Sequence, residues 1–178
     1  MELGKDDAVA LSTGGYAIAY FVRDFESGAA LIDRALILNP NLAPAWSFSG
    51  RVRIDLGEHE LALEHFAHSM RLSPLGPLTF WTQLGIALAH FSAGCYDESS
   101  SWAEKTLRER PNYHPVLRIF AASSALAGQL GNARKAMTRL REIDPTLRVS
   151  HLEDHTPLRR PGDIARYAEG LRRAGLPE

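Results

Sequence analysis

The sequence predicts an all-α protein, a right-handed superhelical stack of helix pairs that ends in capping helices. The prediction rests on a regular spacing of prolines, glycines and tryptophans. Residues that recur 34 or 35 positions apart are Pro40 and Pro74, Pro111 and Pro145, Gly15, Gly50 and Gly85, and Trp46 and Trp81. A period of this length is typical of arrays in which each supersecondary unit buries its apolar face only against its neighbours.

The second period shows what each recurring residue is expected to do. Trp46 fills the space between two helices, and the small residues Gly50 and Ala62 let those helices approach closely. Phe66 packs toward the next unit. Pro74 ends the second helix because proline has no amide hydrogen to donate.

This pattern of Trp, Gly, Ala, Phe and Pro resembles the tetratricopeptide repeat, a helix–turn–helix of about 34 residues. The resemblance implies four units and a tail within one domain. Their expected bounds are about 8–42, 43–76, 77–113 and 114–147 for the units and 148–178 for the capping helices. The structural positions of the repeat are Gly15, Trp46, Gly50, Ala62, Phe66, Pro74, Trp81, Gly85, Ala133 and Pro145.

The first unit departs from the pattern in two ways. One extra residue lies between Gly15 and the turn at Asp24. Its first helix carries a nearly continuous apolar run at 16–22, as expected for a helix buried on two sides. Only Met1 to Asp7 precede it. We therefore expect a homodimer through the N-terminal repeat, unless Met1 to Asp7 fold back over the apolar run. Residues 2–5 resemble the last turn of a preceding helix, so the chain is interpreted as a fragment of a longer protein.

The tail after Pro145 does not continue the repeat. Ser150 to Glu153 forms a capping-box pattern that predicts a short helix. A last helix is expected from Pro161, with Asp163 near its positive end and Gly175 as its stop. Its apolar stripe is expected to cover the last face of the stack, and consists of Ile164, Tyr167, Ala168 and Leu171.

Composition restricts the kind of partner. The formal net charge of −1 gives no bulk electrostatic reason to bind nucleic acid or an anionic membrane. The sequence has no run of about 18 apolar residues that would span a bilayer, and its first residues do not form a signal-peptide pattern. The single cysteine, Cys95, excludes an intrachain disulfide. We expect a cytoplasmic protein that binds neither nucleic acid nor membrane.

Two stretches show a closer resemblance, to the C-terminal repeat region of bacterial class III adenylate/guanylate cyclases. They are residues 89–145, from AHFSAGCYDESSS to RLREIDP, and the ending HTPLRRPGDIARYAEGLRRAGLPE at 155–178. The resemblance implies that a nucleotide cyclase domain precedes the repeats in a parent protein. Related repeat regions also follow winged-helix DNA-binding domains. The metal-binding aspartates of a cyclase domain are not found in this sequence.

Candidate chemistry is sparse. His65 and His68 are three residues apart on one second helix and could share a metal, but solvated histidines explain them better. His151, Asp154 and His155 have the same two interpretations. Cys95 follows a turn glycine without an evident base or basic setting. We expect no catalytic residue, metal or cofactor in this chain, and so no enzyme activity.

Binding is the favoured function, because the first helices of stacked repeats line a concave groove. By analogy with the repeat family, the groove positions are Tyr16, Tyr20, Ser47, Arg51, Ile54, Asp55, Thr82, Ile86, His90, Arg118 and Ala122. The lysine–asparagine set that clamps a peptide carboxylate in some family members is missing, although Arg51 and Arg118 could bind an acidic segment. The sequence thus predicts a protein-interaction scaffold, with a small-molecule-sensing module as the alternative and unused solvated positions also open.

Overall fold

Nine α-helices and no strands are found along the described residues of the computed structural model, which are 7–152 and 156–178. The helices are α1 Ala8–Ala17, α2 Phe25–Leu38, α3 Ala43–Leu56, α4 His59–Leu72, α5 Thr79–Ser92, α6 Tyr96–Glu109, α7 His114–Leu126, α8 Leu130–Ile143 and α9 Pro161–Ala174. This architecture confirms the predicted all-α class. The chain divides within α5 into an N-terminal unit that ends at Gly85 and a C-terminal unit that begins at Ile86.

In the N-terminal unit, α1 and α2 touch through a pair of glycines. A Cβ atom built on Gly15 would lie 2.7 Å from the carbonyl oxygen of Gly28, and the reverse distance is also 2.7 Å. Real Cβ atoms do not approach a backbone oxygen so closely, so only glycine permits this helix crossing. Ile32, fully buried on α2, packs against the same point.

The next helix pair closes around one phenylalanine. Phe66 on α4 is completely buried. A Cβ atom on Gly50 of α3 would come within 2.9 Å of its ring, and one on Gly85 of α5 would come closer still. The ring of Phe66 therefore occupies the space that glycine leaves open on both first helices.

Helix α1 ends differently from α3, α5 and α7, the first helices of the later pairs. After α1 the backbone makes a π-helical turn at Ile18–Val22, and Arg23 then adopts a left-handed conformation with φ of 64°. Gly57, Gly94 and Gly128 hold the left-handed position after α3, α5 and α7. The wider turn accommodates the extra residue that the sequence has between Gly15 and Asp24, since a π turn takes one more residue than an α turn.

In the C-terminal unit, α9 packs mainly on α7. The Cα atom of Gly170 lies so close to Ala122 that a Cβ atom there would be 2.7 Å from the Ala122 carbonyl oxygen. Tyr167 is buried and meets the Phe91 ring edge-on at 5.9 Å between centroids. Asp163, at the start of α9, pairs with Arg166, whose Nη2 also donates to the carbonyl oxygen of Ser92 at 2.9 Å.

The structure overturns two predictions about the groove in the C-terminal unit. Ile86 and Ala122 were expected to line an open groove, but Ile86 is 5% exposed and Ala122 is fully buried. The reason for Ala122 is that α9 lies directly over it.

Some predictions fall outside the described residues. These are the turn at 2–5, the fold-back of residues 1–6, and Glu153, Asp154 and His155, with the side chain of His151. Within the described ranges, none of the helices combines the length and the apolar character needed to cross a bilayer.

Candidate functional site

Four aromatic side chains from three successive first helices contact one another in the N-terminal unit. We call Tyr16 and Tyr20 of the first helix, Phe48 of α3 and Trp81 of α5 the aromatic cluster. Tyr16 stacks on Phe48 with ring centroids 4.8 Å apart, and Trp81 meets Tyr16 and Phe48 edge-on at 5.7 and 5.8 Å. Tyr20 lies 5.8 Å from Tyr16. These are the offset and edge-to-face geometries that aromatic pairs prefer.

The aromatic cluster reaches solvent. Tyr16, Phe48 and Trp81 are each partly exposed. Tyr20 is 43% exposed, and the next residues, Phe21 and Val22, are 79% and 71% exposed at the π-helical turn. The cluster therefore continues into an apolar surface at the end of the first helix.

Arg51 and Asp55, which the sequence placed on the groove surface, form an inward-facing ion pair. Arg51 Nη1 lies 2.9 Å from Asp55 Oδ2, and their side chains are only 7% and 9% exposed. The prediction that Arg51 is a surface residue is wrong, because four-residue spacing on α3 lets the two charges pair while the helix packs. The Arg51 guanidinium is therefore not available to hold an acidic ligand.

Ser47 and Thr82 were also expected on the open groove, and the structure buries both. Ser47 is fully buried and Thr82 is 2% exposed. Ser47 Oγ lies 2.8 Å from Ser69 Oγ and 2.6 Å from Thr82 Oγ1, so the hydroxyls contact one another inside the unit. The prediction that these two residues are exposed in the groove is wrong for this reason. Both residues line a cavity of about 70 Å³.

The predicted groove residues of the C-terminal unit that are not buried are His90 and Arg118. Both are partly exposed. Burial lowers the pKa of His90 from its ordinary value of 6.5, so the neutral ring is favoured. These two positions remain predictions of a binding surface, and the aromatic cluster belongs to the other unit.

His65 and His68 of α4 pack against Trp46. The indole ring lies 4.9 Å from the ring of His65 and 4.2 Å from that of His68, and its Nε1 donates to the carbonyl oxygen of Pro40 at 2.8 Å. His65 Nδ1 is 2.9 Å from the hydroxyl of buried Ser49. Burial, and next the charge of Arg53, lower the pKa of His65. This arrangement gives both histidines packing roles.

The remaining candidates for chemistry are the metal-ligating side chains and Cys95. Across the described ranges no three His, Cys, Asp or Glu side chains are grouped as a metal site would need. Cys95 is exposed at the residue before α6. Sequence reasoning missed Phe48 and placed Trp81 among the structural repeat positions, not among the groove residues. The signal for Phe48 was its place one turn before Arg51, since residues three apart share a helix face.

Solved structures share this fold. PilW, a widely conserved type IV pilus biogenesis factor, superposes with a TM-score of 0.76 at 17% identity over 95% of this chain and 78% of that one. YrrB, described as a TPR protein with an unusual peptide-binding site, gives 0.66 at 17% identity over 96% and 86%. MamA residues 41 to end from Desulfovibrio magneticus RS-1 give 0.69 at 14% identity over 94% and 93%.

No protein-family model and no curated protein matches the sequence. At these identities the structural likeness establishes the fold alone, which is the tetratricopeptide-type array of helix pairs that the sequence predicted.

Proposed function

We propose that this protein is an interaction scaffold and that its N-terminal unit binds an apolar segment of a partner protein on the aromatic cluster. The observation that supports this is the set of contacting, partly exposed rings contributed by three first helices. Aromatic side chains give large contact areas, and Tyr and Trp are enriched among the residues that dominate binding energies. Support also comes from YrrB, a solved structure of the same fold that is described as having a peptide-binding site.

The ligand of this surface is an extended segment rich in proline or other apolar side chains. Arg51, one turn after Phe48, is neutralised by Asp55 within the unit, so the nearby charge favours no acidic ligand. Rigid aromatic rings hold preformed extended segments such as polyproline II at low entropic cost.

Selection from a random 12-residue peptide phage library tests the proposal. We expect the selected peptides to be enriched in proline and apolar residues. In fluorescence polarisation, Trp81→Ala should weaken the selected peptides at least about tenfold, within the range of aromatic hot spots. Trp102→Ala is the matched control, since Trp102 lies on α6 and is partly exposed beside Lys105. Peptides that bind the Trp81→Ala and Trp102→Ala variants equally would contradict the proposal.

A homodimer through the N-terminal repeat is a second proposal, favoured by the exposure of Tyr20, Phe21 and Val22. Burial of these side chains against a second copy about a two-fold axis would remove them from water. Sedimentation at micromolar concentration should show a dimer that Phe21→Lys dissociates while circular dichroism stays unchanged. A monomeric wild type would rule the dimer out.

We also propose that the scaffold is the C-terminal regulatory or assembly region of a multidomain signalling protein such as a class III nucleotide cyclase. The support is the sequence resemblance at 89–145 and 155–178. The isolated chain should form no cyclic nucleotide from ATP or GTP with Mg²⁺ or Mn²⁺. Added to a purified class III catalytic domain, it should change the rate of cyclic nucleotide formation; an unchanged rate at saturating scaffold would count against it.

The small-molecule alternative gains no support from the cavity of the N-terminal unit. The cavity beside Ser47 holds about 70 Å³. Sites for drug-sized ligands or cofactors enclose roughly 300–1,000 Å³. A cavity this size fits one small side chain.

A further inference from the structure

The cavity beside Ser47 lies where three helix ends meet in the N-terminal unit. Its walls come from the start of α3, the end of α4, the start of α5 and the link between α4 and α5. Three of its polar side chains are almost fully buried: Ser47 at 0%, Thr82 at 2% and Ser69 at 5% exposure. Buried hydroxyls in the wall of a cavity require hydrogen-bond partners.

The three buried hydroxyls have fewer protons than hydrogen-bond contacts. Four oxygen–oxygen contacts join Ser47 to Thr82 at 2.6 Å, Ser47 to Ser69 at 2.8 Å, Ser69 to the Ala43 carbonyl at 2.8 Å and Thr82 to the Leu78 carbonyl at 3.2 Å. Each hydroxyl has one proton, so three protons serve four contacts. The longest contact is the one that loses its proton, because hydroxyl hydrogen bonds are normally shorter than about 3.0 Å.

The other three contacts form a directed chain. Thr82 donates to Ser47, Ser47 donates to Ser69, and Ser69 donates to the carbonyl oxygen of Ala43. In this arrangement Thr82 Oγ1 accepts no proton from the other hydroxyls. Thr79 on the same wall donates its own proton to the Gly76 carbonyl at 2.8 Å, which leaves its oxygen as an acceptor. Ser73 also lines the space, and a serine hydroxyl can donate.

We propose that this cavity receives the hydroxyl side chain of a serine or threonine in the bound partner segment, an inference that rests on the proposed function. The ligand hydroxyl donates to Thr82 Oγ1 and accepts from Ser73. Size agrees, because a volume of about 70 Å³ is that of roughly two water molecules. The lining residues include no carboxylate, so a lysine ammonium would have no counter-charge there.

Capped amino acids test the cavity without requiring the aromatic cluster. The probes are N-acetyl-threonine N-methylamide and the isosteric N-acetyl-valine N-methylamide, titrated against protein with labelled threonine methyl groups. We expect the threonine probe to shift the methyl resonances of Thr79 and Thr82 and to bind about fivefold more tightly, the ratio given by one net hydrogen bond. Thr82→Val should abolish this preference, and Ser73→Ala, which removes the other partner of the ligand hydroxyl, should lower it if Thr82→Val fails to fold.

Three outcomes would overturn the proposal: equal binding of the two probes, shifts confined to other threonines, or no binding, in which case the cavity holds ordered water only. Tyr20→Ala, in the aromatic cluster, should leave the threonine preference intact. Loss of peptide binding with a retained threonine preference would refute the proposed function alone. Peptide binding that shows no preference for serine or threonine would refute the cavity proposal alone.

Discussion

Two adjacent glycines on α1 allow a sharp test of how the first helix pair is held. A Cβ atom on Gly15 would lie 2.7 Å from the Gly28 carbonyl oxygen and 2.9 Å from Ile32 Cγ1, whereas one on Gly14 would have no atom within 4 Å. Gly14→Ala should therefore stabilise α1 by about 1 kcal/mol through helix propensity alone. Gly15→Ala has the same propensity gain, but overpacking there costs typically about 1–3 kcal/mol.

The difference between the two variants isolates the helix contact from propensity. Gly15→Ala should be less stable than Gly14→Ala by about 2 kcal/mol, because the clash is with backbone that cannot rotate away. For a chain of this size that corresponds to a melting-temperature difference of roughly 6 °C. Urea unfolding followed by circular dichroism at 222 nm measures it, with the slope m compared between variants. Equal stabilities would refute the close contact of α1 with α2.

Three further predictions test other features. Arg23→Gly should stabilise the protein by roughly 1 kcal/mol, since glycine adopts the left-handed conformation without penalty; an unchanged melting temperature would contradict this. Arg51→Ala should cost about 3 kcal/mol by leaving the charge of Asp55 buried, while Arg108→Ala, in an exposed pair, should stay within about 0.5 kcal/mol. The pKa of His65 is lowered in the folded state, so the unfolded chain binds more protons below pH 6.5 and the stability of the fold decreases as the pH falls. His65→Gln should therefore flatten the dependence of the melting temperature on pH between pH 7 and 5. An unaltered slope would exclude His65 as the cause.

The fold was predictable because the repeat fixes its close contacts with small residues. Gly15 and Gly50 mark the points where the first helices approach their neighbours, and a 35-residue spacing places them on equivalent turns. Helical spacing of apolar residues supplies the rest of the pattern. These signals are local in sequence, so they can be recognised without knowing which helix packs against them.

The binding surface was harder to predict because its exposure depends on contacts between distant residues. Ser47 and Arg51 occupy the face that the repeat family uses for binding, but Thr82 satisfies one and Asp55 neutralises the other. A polar residue on the inner face of a helix is exposed only if no neighbouring helix supplies its partner. Ala122 illustrates the same limit, since nothing in α7 shows that α9 covers it.

The π-helical turn at Ile18–Val22 bears on how the length of this repeat can vary. One extra residue placed after Gly15 is taken up inside a single turn, and the glycine stays opposite Gly28. The same insertion placed before Gly15 would rotate the following residues by about 100°, one residue's step in an α-helix. Tyr16 or Gly14 would then face α2 instead. A one-residue insertion is therefore accommodated after the glycine contact, whereas one inside α1 before Gly15 would disturb that contact, so longer variants of the repeat should carry their extra residue between Gly15 and Asp24.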